Sequence, residues 1–221
     1  MEPVRLGLVG GGLISAKHIE ATKNICNGDL VALCDVNPDR KLLADELHVP
    51  FFTDYREMLD QAGLEGVIDG TPNTFHAEVG MACAEHGIHV LTEKPITSTL
   101  EEGKQLVQAV NESGISLLVG HHRRYFPIIR RAREIVQSGE LGQLIGISML
   151  WALMKPDNYF NIPWRSRKGG GPILINIIHE MDNLRFICGD VAEITAKARR
   201  LVRSGEVEDT VIINFELVSG A

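Results

Sequence analysis

Three short constellations in this sequence hold side chains or backbone groups able to bind an anion or move a proton. The first is Gly10-Gly11-Gly12-Leu13-Ile14-Ser15, which follows the apolar run Val4–Val9 and opens a helical pattern. Glycines there let a pyrophosphate approach the free N–H groups and partial positive charge of a helix start. Asp35, at the end of the second apolar run, stands where a carboxylate accepts the hydroxyls of an adenosine ribose. Ser15 takes the place of the usual third small residue. The second constellation is Glu93-Lys94-Pro95, just past the fifth apolar run. Carboxyl ends of strands face the ligand crevice of an open α/β sheet, so a lysine there reaches a bound substrate; a plain surface turn is the other reading. The third runs from Gly169-Gly170-Gly171-Pro172 to Asp182. Ile177, Met181 and Leu184 repeat at helical spacing, and Asn176, His179 and Asp182 or Asn183 share the opposite face. A helix face with Asn, His and a carboxylate seats a general base and its orienting partner, although a hydrogen-bonded interface histidine has the same spacing.

The elements that must position these groups alternate. Val4–Val9, Leu30–Cys34, Gly66–Asp69, Ile88–Leu91 and Ser116–Val119 read as strands, with helices near 13–26, 38–47, 54–61, 74–86 and 99–112 between them. That order predicts a parallel sheet with right-handed crossovers and helices on both faces. Asn73 and Ser98 or Thr99 read as N-caps, Gly87 and Gly114 as C′ residues, and Pro38 as a first-turn proline. Past Val119 the pattern changes: a loop at 120–127, a helix near 128–138, a strand near 144–153, an irregular segment at 154–171 and a helix at 173–187. Two further apolar runs, Val191–Ala198 and Val207–Val218, read as antiparallel strands. The expected fold is α/β: a doubly wound Rossmann domain over 1–121, then an α+β domain over 122–221 with a mainly antiparallel sheet. That second sheet reads as incomplete, since a sheet stopped at Ser219-Gly220-Ala221 leaves an edge without a partner.

Composition narrows the function. The 221 residues are 44% apolar and 23% charged, ordinary values for a water-soluble globular protein, with no run long enough to span a bilayer. The start, Met1-Glu2-Pro3, lacks the basic and apolar regions of a secretory signal, so the expected location is the cytoplasm, with no membrane partner. A net charge of −7 argues against nucleic acid. The cluster His121-His122-Arg123-Arg124 with Arg130, Arg131 and Arg133 is a local exception, facing an anionic ligand or, for Arg130 to Arg133, water. Cys26, Cys34, Cys83 and Cys188 are scattered and read as buried thiols rather than disulfides or metal ligands, and no metal site is expected.

Five motifs in order carry a family resemblance: Gly10-x-Gly12-Leu13-Ile14 with His18, Thr71-Pro72-Asn73 with His76, Glu93-Lys94-Pro95, Gly120-His121-His122-Arg123-Arg124-Tyr125, and the Gly169–Asp182 segment. Together they resemble the Gfo/Idh/MocA oxidoreductases, relatives of glucose-fructose oxidoreductase and inositol dehydrogenase. The resemblance implies an NAD(P)-dependent dehydrogenase that transfers hydride to or from a hydroxyl or keto carbon of a sugar, sugar acid or polyol. It also implies a homodimer or homotetramer joined through the second sheet, and a family length beyond this chain, so that the chain reads as truncated at its C-terminus.

Carried over by motif, Lys94 and His179 are the catalytic pair. Gly10, Gly12, Leu13, Ile14, Asp35, Thr71, Asn73, His76, Glu93 and Lys94 bind cofactor. Arg123, Trp164 and Arg165 match substrate-lining positions, and Lys155, Asp157 and Tyr159 in the same irregular segment join them as pocket candidates. The family's usual catalytic aspartate falls on Ile175, a departure; Asn176 beside it is no base, though its amide can bond a substrate hydroxyl. Asp35 favours NAD over NADP, with Arg40 partly offsetting the repulsion of a 2′-phosphate. Two rival functions remain at this level: a glycosidase-type enzyme with tightly held NAD, and a noncatalytic NAD(P)-binding sensor or repressor subunit, to which the missing aspartate points.

Overall fold

The structure, a computed structural model, describes residues 2–168 and 170–221, with the side chains of Pro163 and Trp164 also outside the description. The chain divides into two compact units, Met1–Gly120 and His121–Ala221.

In the first unit, β1 (Val4–Val9), β2 (Gly28–Cys34), β3 (Phe51–Phe52), β4 (Gly66–Asp69), β5 (His89–Thr92) and β6 (Leu117–Val119) form one parallel sheet in the order β3-β2-β1-β4-β5-β6. The reversal of strand order falls between β1 and β4, the switch point where open α/β sheets bind ligands. Period-two alternation sorts the strand residues onto two faces. Leu8, Leu33 and Ile68 join Ile19 of α1 (Ser15–Lys23) and Ala44 of α2 (Lys41–Leu47). Val9, Ala32, Cys34, Val67 and Val90 face α3 (Tyr55–Gln61), α4 (His76–Glu85) and α5 (Leu100–Ser113) through Met58, Val79, Cys83 and Leu106. The sheet is thus covered on both sides, as a doubly wound fold requires.

Helix ends follow local chemistry. Thr99 caps α5 in a reciprocal capping box with Glu102, and Gly114 ends it in the left-handed region that glycine adopts without steric cost. Asn73 is not a cap: α4 begins at His76 after Phe75, and Asn73 is buried in the preceding turn. The helix expected over 38–47 starts as a 3₁₀ turn, Pro38–Arg40, capped by Asn37.

The second unit contains α6 (Pro127–Gln137), α7 (Ile178–Cys188) and an antiparallel pair, β7 (Val191–Arg199) and β8 (Thr210–Leu217). The inner residues of β8, Val211, Ile213 and Phe215, share a groove with Ile177, Met181 and Leu184, so the stripe expected on the last helix does meet a sheet. The expected strand near 144–153 does not form. Residues 143–156 are in neither helix nor strand, because alternation prepares a strand but only a neighbouring ladder makes one. The helix expected from 173 opens as a π-helical turn, Ile173–Ile177, and turns α-helical only at Ile178. Among the described residues, no helix is long and apolar enough to cross a membrane. Cys34 and Cys83 are buried, Cys188 is half-buried and Cys26 is exposed, which corrects the expectation of burial for Cys26.

Candidate active site

The glycine turn has the geometry its sequence called for. Gly10 lies at φ 91°, and a Cβ there would sit 2.8 Å from the Gly70 carbonyl oxygen across the switch point. A Cβ on Gly12 would meet nothing within 4 Å, so this backbone faces open space, the approach a pyrophosphate needs. Leu13 and Ile14 are exposed. Ser15 packs where a third small residue belongs: it is fully buried, and its hydroxyl donates to the Gly10 carbonyl. Asp35 accepts from the Gly11 N–H at 2.6 Å and the Asn37 N–H at 2.8 Å, joining the end of β2 to the glycine loop. The stem of Arg40 lies against the same loop, 3.3 Å from where a Gly11 Cβ would be. An adenosine ribose and pyrophosphate fit these donors and acceptors.

The ends of β4 and β5 are tied together. Asp69, fully buried, accepts from the Thr71 N–H (3.1 Å) and hydroxyl (2.6 Å) and from the Thr92 hydroxyl (3.2 Å). His76 is also buried, and its ring nitrogens face the carbonyl oxygens of Pro95 (2.7 Å) and Thr71 (3.0 Å). With both nitrogens occupied by backbone, His76 braces these loops instead of presenting a ring nitrogen to a ligand.

Glu93 is engaged in a similar way. Its Oε1 lies 2.9 Å from His18 Nε2, its Oε2 accepts from the Lys94 N–H at 3.3 Å, and Gly120 leaves room for the carboxylate, since a Cβ there would sit 3.2 Å from Oε1. Burial pushes the Glu93 carboxyl up, but the His18 contact and the Lys94 N–H together bring it below the usual carboxylate range. Two histidines therefore hold the residues on either side of half-buried Lys94: His18 the side chain of Glu93, His76 the carbonyl of Pro95.

In the second unit, the 121–124 segment docks on α7 through ion pairs. Arg124 holds Asp182 with Nε at 3.0 and 2.9 Å from the two carboxylate oxygens and adds an Nη2 contact, while His121 Nδ1 lies 3.6 Å from Asp182 Oδ2. Contact with Asp182 raises the Arg124 pKa despite partial desolvation. Arg123, expected to touch substrate, has its guanidinium on Glu180. His179 is buried, its ring 5.2 Å from that of His122 in an edge-on arrangement. Lys155, Arg165, Ile175 and Asn176 line one cavity of this unit, joined by Tyr159 and by Arg203, which no sequence motif marks. Asp157 does not line it, projecting into solvent beside Arg203. The side chain of Trp164 and residue Gly169 lie outside the described residues. His18 carried a signal, one helical turn past the glycine loop, and so did Asp69, a lone carboxylate ending an apolar strand.

Sheet order, glycine turn and the carboxylate ending β2 define a dinucleotide-binding Rossmann protein. The comparisons agree in both units: residues 4–121 match the oxidoreductase family with an NAD-binding Rossmann fold, and residues 129–221 match the GFO/IDH/MocA C-terminal domain. The chain belongs to the Gfo/Idh/MocA oxidoreductase family. Over 97% of its length it is 29% identical to the uncharacterized oxidoreductase YrbE of Bacillus subtilis, covering 64% of that protein. It is 30% identical to a 1,5-anhydro-D-fructose reductase of Ensifer adhaerens, over 98% of this chain and 66% of the relative. The solved WlbA dehydrogenase of Bordetella pertussis, in complex with NADH and UDP-GlcNAcA, superposes with a TM-score of 0.94 at 28% identity, over 100% of this chain and 69% of that one. The chain spans 59% to 64% of the length of three curated relatives that it matches.

Proposed function

We propose that this chain carries the cofactor-binding and catalytic residues of an NAD-dependent dehydrogenase acting on a hydroxyl or keto carbon of a sugar, sugar acid or polyol. The observation that carries the proposal is the placement of Lys94 at the carboxyl edge of the sheet, between two residues held by half-buried His18 and buried His76. Bound NAD supplies the hydride acceptor. Gly10, Gly12, Leu13 and Ile14 hold its pyrophosphate and Asp35 its ribose, with Thr71, Asn73 and Glu93 shaping the rest of the site and His76 acting through Thr71. Lys94 hydrogen-bonds the reacting oxygen and stabilises the negative charge that grows there, and His179 takes the hydroxyl proton. Arg123 bears on substrate through Glu180 and the 121–124 segment. Lys155, Arg165 and Asn176 line the substrate cavity, with Trp164 assigned there by motif alone.

The first unit is the nucleotide domain and the second the substrate and oligomerisation domain. Ile212 on the outer face of the β7–β8 pair is 66% exposed, and Ile194, on the other face opposite Phe215, is 52% exposed; these exposed apolar side chains support a homo-oligomer through that sheet. Free thiols suit a reducing cytoplasm. Relatives named as a reductase and a dehydrogenase favour net oxidation and reduction over the glycosidase and sensor readings.

The test is NADH absorbance on a panel of sugars, sugar acids and inositols. Lys94→Ala and His179→Ala each lower kcat by about 100-fold or more, with NAD affinity little changed. Near-normal turnover in both variants, or no turnover on any member of the panel, overturns the assignment.

A further inference from the structure

We infer that the cavity of the second unit contains an anion subsite, which takes a carboxylate or phosphate group carried by a hydroxylated small molecule. The cavity, of about 440 Å³, lies between the irregular segment that includes Lys155–Ser166 and the loop joining β7 to β8, with Ile175 and Asn176 on its wall. Three cations converge there on two neighbouring rings. Lys155 Nζ is 4.8 Å and Arg165 Cζ 3.9 Å from the centre of the Tyr159 ring, and Arg203 Cζ is 3.9 Å from that of Phe160. The two rings meet edge-on at 5.1 Å. Aromatic faces attract each cation without neutralising its charge.

Two carboxylates, Glu208 and Asp209, line the same cavity, and both accept from backbone N–H groups. Asp209 accepts the backbone N–H groups of Leu201, Val202 and Arg203 at 2.8 to 3.0 Å, which hold its carboxyl well below the usual range. Glu208 Oε1 accepts from the Ile173 N–H at 3.0 Å. Asp157 pairs with Arg203 at 3.2 Å, yet its side chain is 101% exposed, so water screens the pair. The same contacts fix the cations in advance. Asp209 shapes the loop bearing Arg203, Arg203 Nη2 donates to the Lys155 carbonyl at 2.7 Å, and Arg165 donates to the Tyr159 carbonyl at 2.9 Å. A preset cluster with planar guanidinium groups suits the oxygens of a carboxylate or phosphate, and ordering it beforehand lowers the cost of binding. Asn176 on the same wall places the subsite beside the helix of His179, so the anionic end of the ligand sits apart from the hydroxyl that reacts.

The link to turnover rests on the dehydrogenase reading; the binding does not. Calorimetric titration of the full chain with NAD present compares glucose, glucuronate and glucose 6-phosphate at one ionic strength, with inorganic phosphate alone as a fourth probe. Glucuronate or glucose 6-phosphate binds about 10-fold or more tightly than glucose, and whichever does so separates carboxylate from phosphate. Lys155→Gln with Arg203→Gln removes the difference and leaves NAD affinity in place, while Arg203→Lys keeps part of it. Lys155→Gln alone, where the side chain lies against the Tyr159 ring, weakens the preference if the double variant does not fold. Equal or absent binding of charged and neutral sugars overturns the inference, as does a preference that survives the substitutions, or inorganic phosphate binding as tightly as glucose 6-phosphate whatever the variant. Charged-sugar binding without NADH formation on any member of the panel leaves the subsite standing and removes the dehydrogenase reading.

Discussion

His18 Nε2 lies 2.9 Å from Glu93 Oε1, tying the helix after the glycine turn to the residue that precedes Lys94. The two side chains are 16% and 10% exposed, so water competes little for the contact. His18→Ala lowers kcat about 10-fold through a loosened Lys94, while His18→Gln, which still hydrogen-bonds the carboxylate, restores most of it. Equal losses in both variants, or a change confined to NAD affinity, count against a positioning role.

Glu93 also contributes to acid stability. Its carboxyl is depressed in the folded chain, so its stabilisation is fully present above the ordinary carboxylate range near 4.5 and is lost as the pH falls through the lowered value. Urea midpoints measured down that range fall less steeply in Glu93→Gln than in the parent. An unchanged slope rejects this account.

With Asp35 in the proposed ribose site, charge sets the expected cofactor preference. A carboxylate in contact with the glycine loop repels a 2′-phosphate, while Arg40, packed on the same loop, attracts it. NAD binds about 10-fold or more tightly than NADP, and Asp35→Ser narrows the gap. Arg40→Ala widens it. Calorimetric titration that finds NADP the tighter ligand reverses the assignment.

The Arg124–Asp182 pair is half inside the protein, with side-chain exposures of 40% and 7%. Asp182→Asn leaves a guanidinium and a nearby His121 facing an amide, and costs about 1 to 3 kcal/mol once the exposure of Arg124 is discounted. Arg124→Gln in the same background recovers part of the loss. Denaturant unfolding of the four members of this cycle reads the coupling directly, and strict additivity excludes it.

The thiols report the core. Burial pushes Cys34 and Cys83 up to about 12, helped by Asp35 for the first and Asp69 for the second, and burial also raises Cys188. A thiol reagent at mild alkaline pH therefore modifies exposed Cys26 first, Cys188 more slowly, and Cys34 and Cys83 only on unfolding. Rapid modification of all four in the native chain contradicts the packing of the first unit.

What the sequence determined by itself was local. The glycine turn, the alternation of Leu8 and Val9 across the sheet, a cap at Ser98 or Thr99 and the parallel order of the first unit each depend on neighbours a few residues away or on a repeated pattern. The motifs likewise marked Lys94, His179 and Asp35. Tertiary structure decided whatever needed a distant partner. His18 meets Glu93 across 75 residues and Arg124 meets Asp182 across 58, so no spacing rule could pair them. The apolar alternation at 144–153 reads as a strand, yet no ladder forms beside it. The π-helical turn at Ile173–Ile177 invalidates an α-helical projection of Ile175 and Asn176, and both reach the cavity wall. Arg203 joins the cation cluster through contacts with Phe160, Asp157 and the Lys155 carbonyl, made by a loop that Asp209 ties through its backbone N–H groups, and none of these can be read from either segment alone.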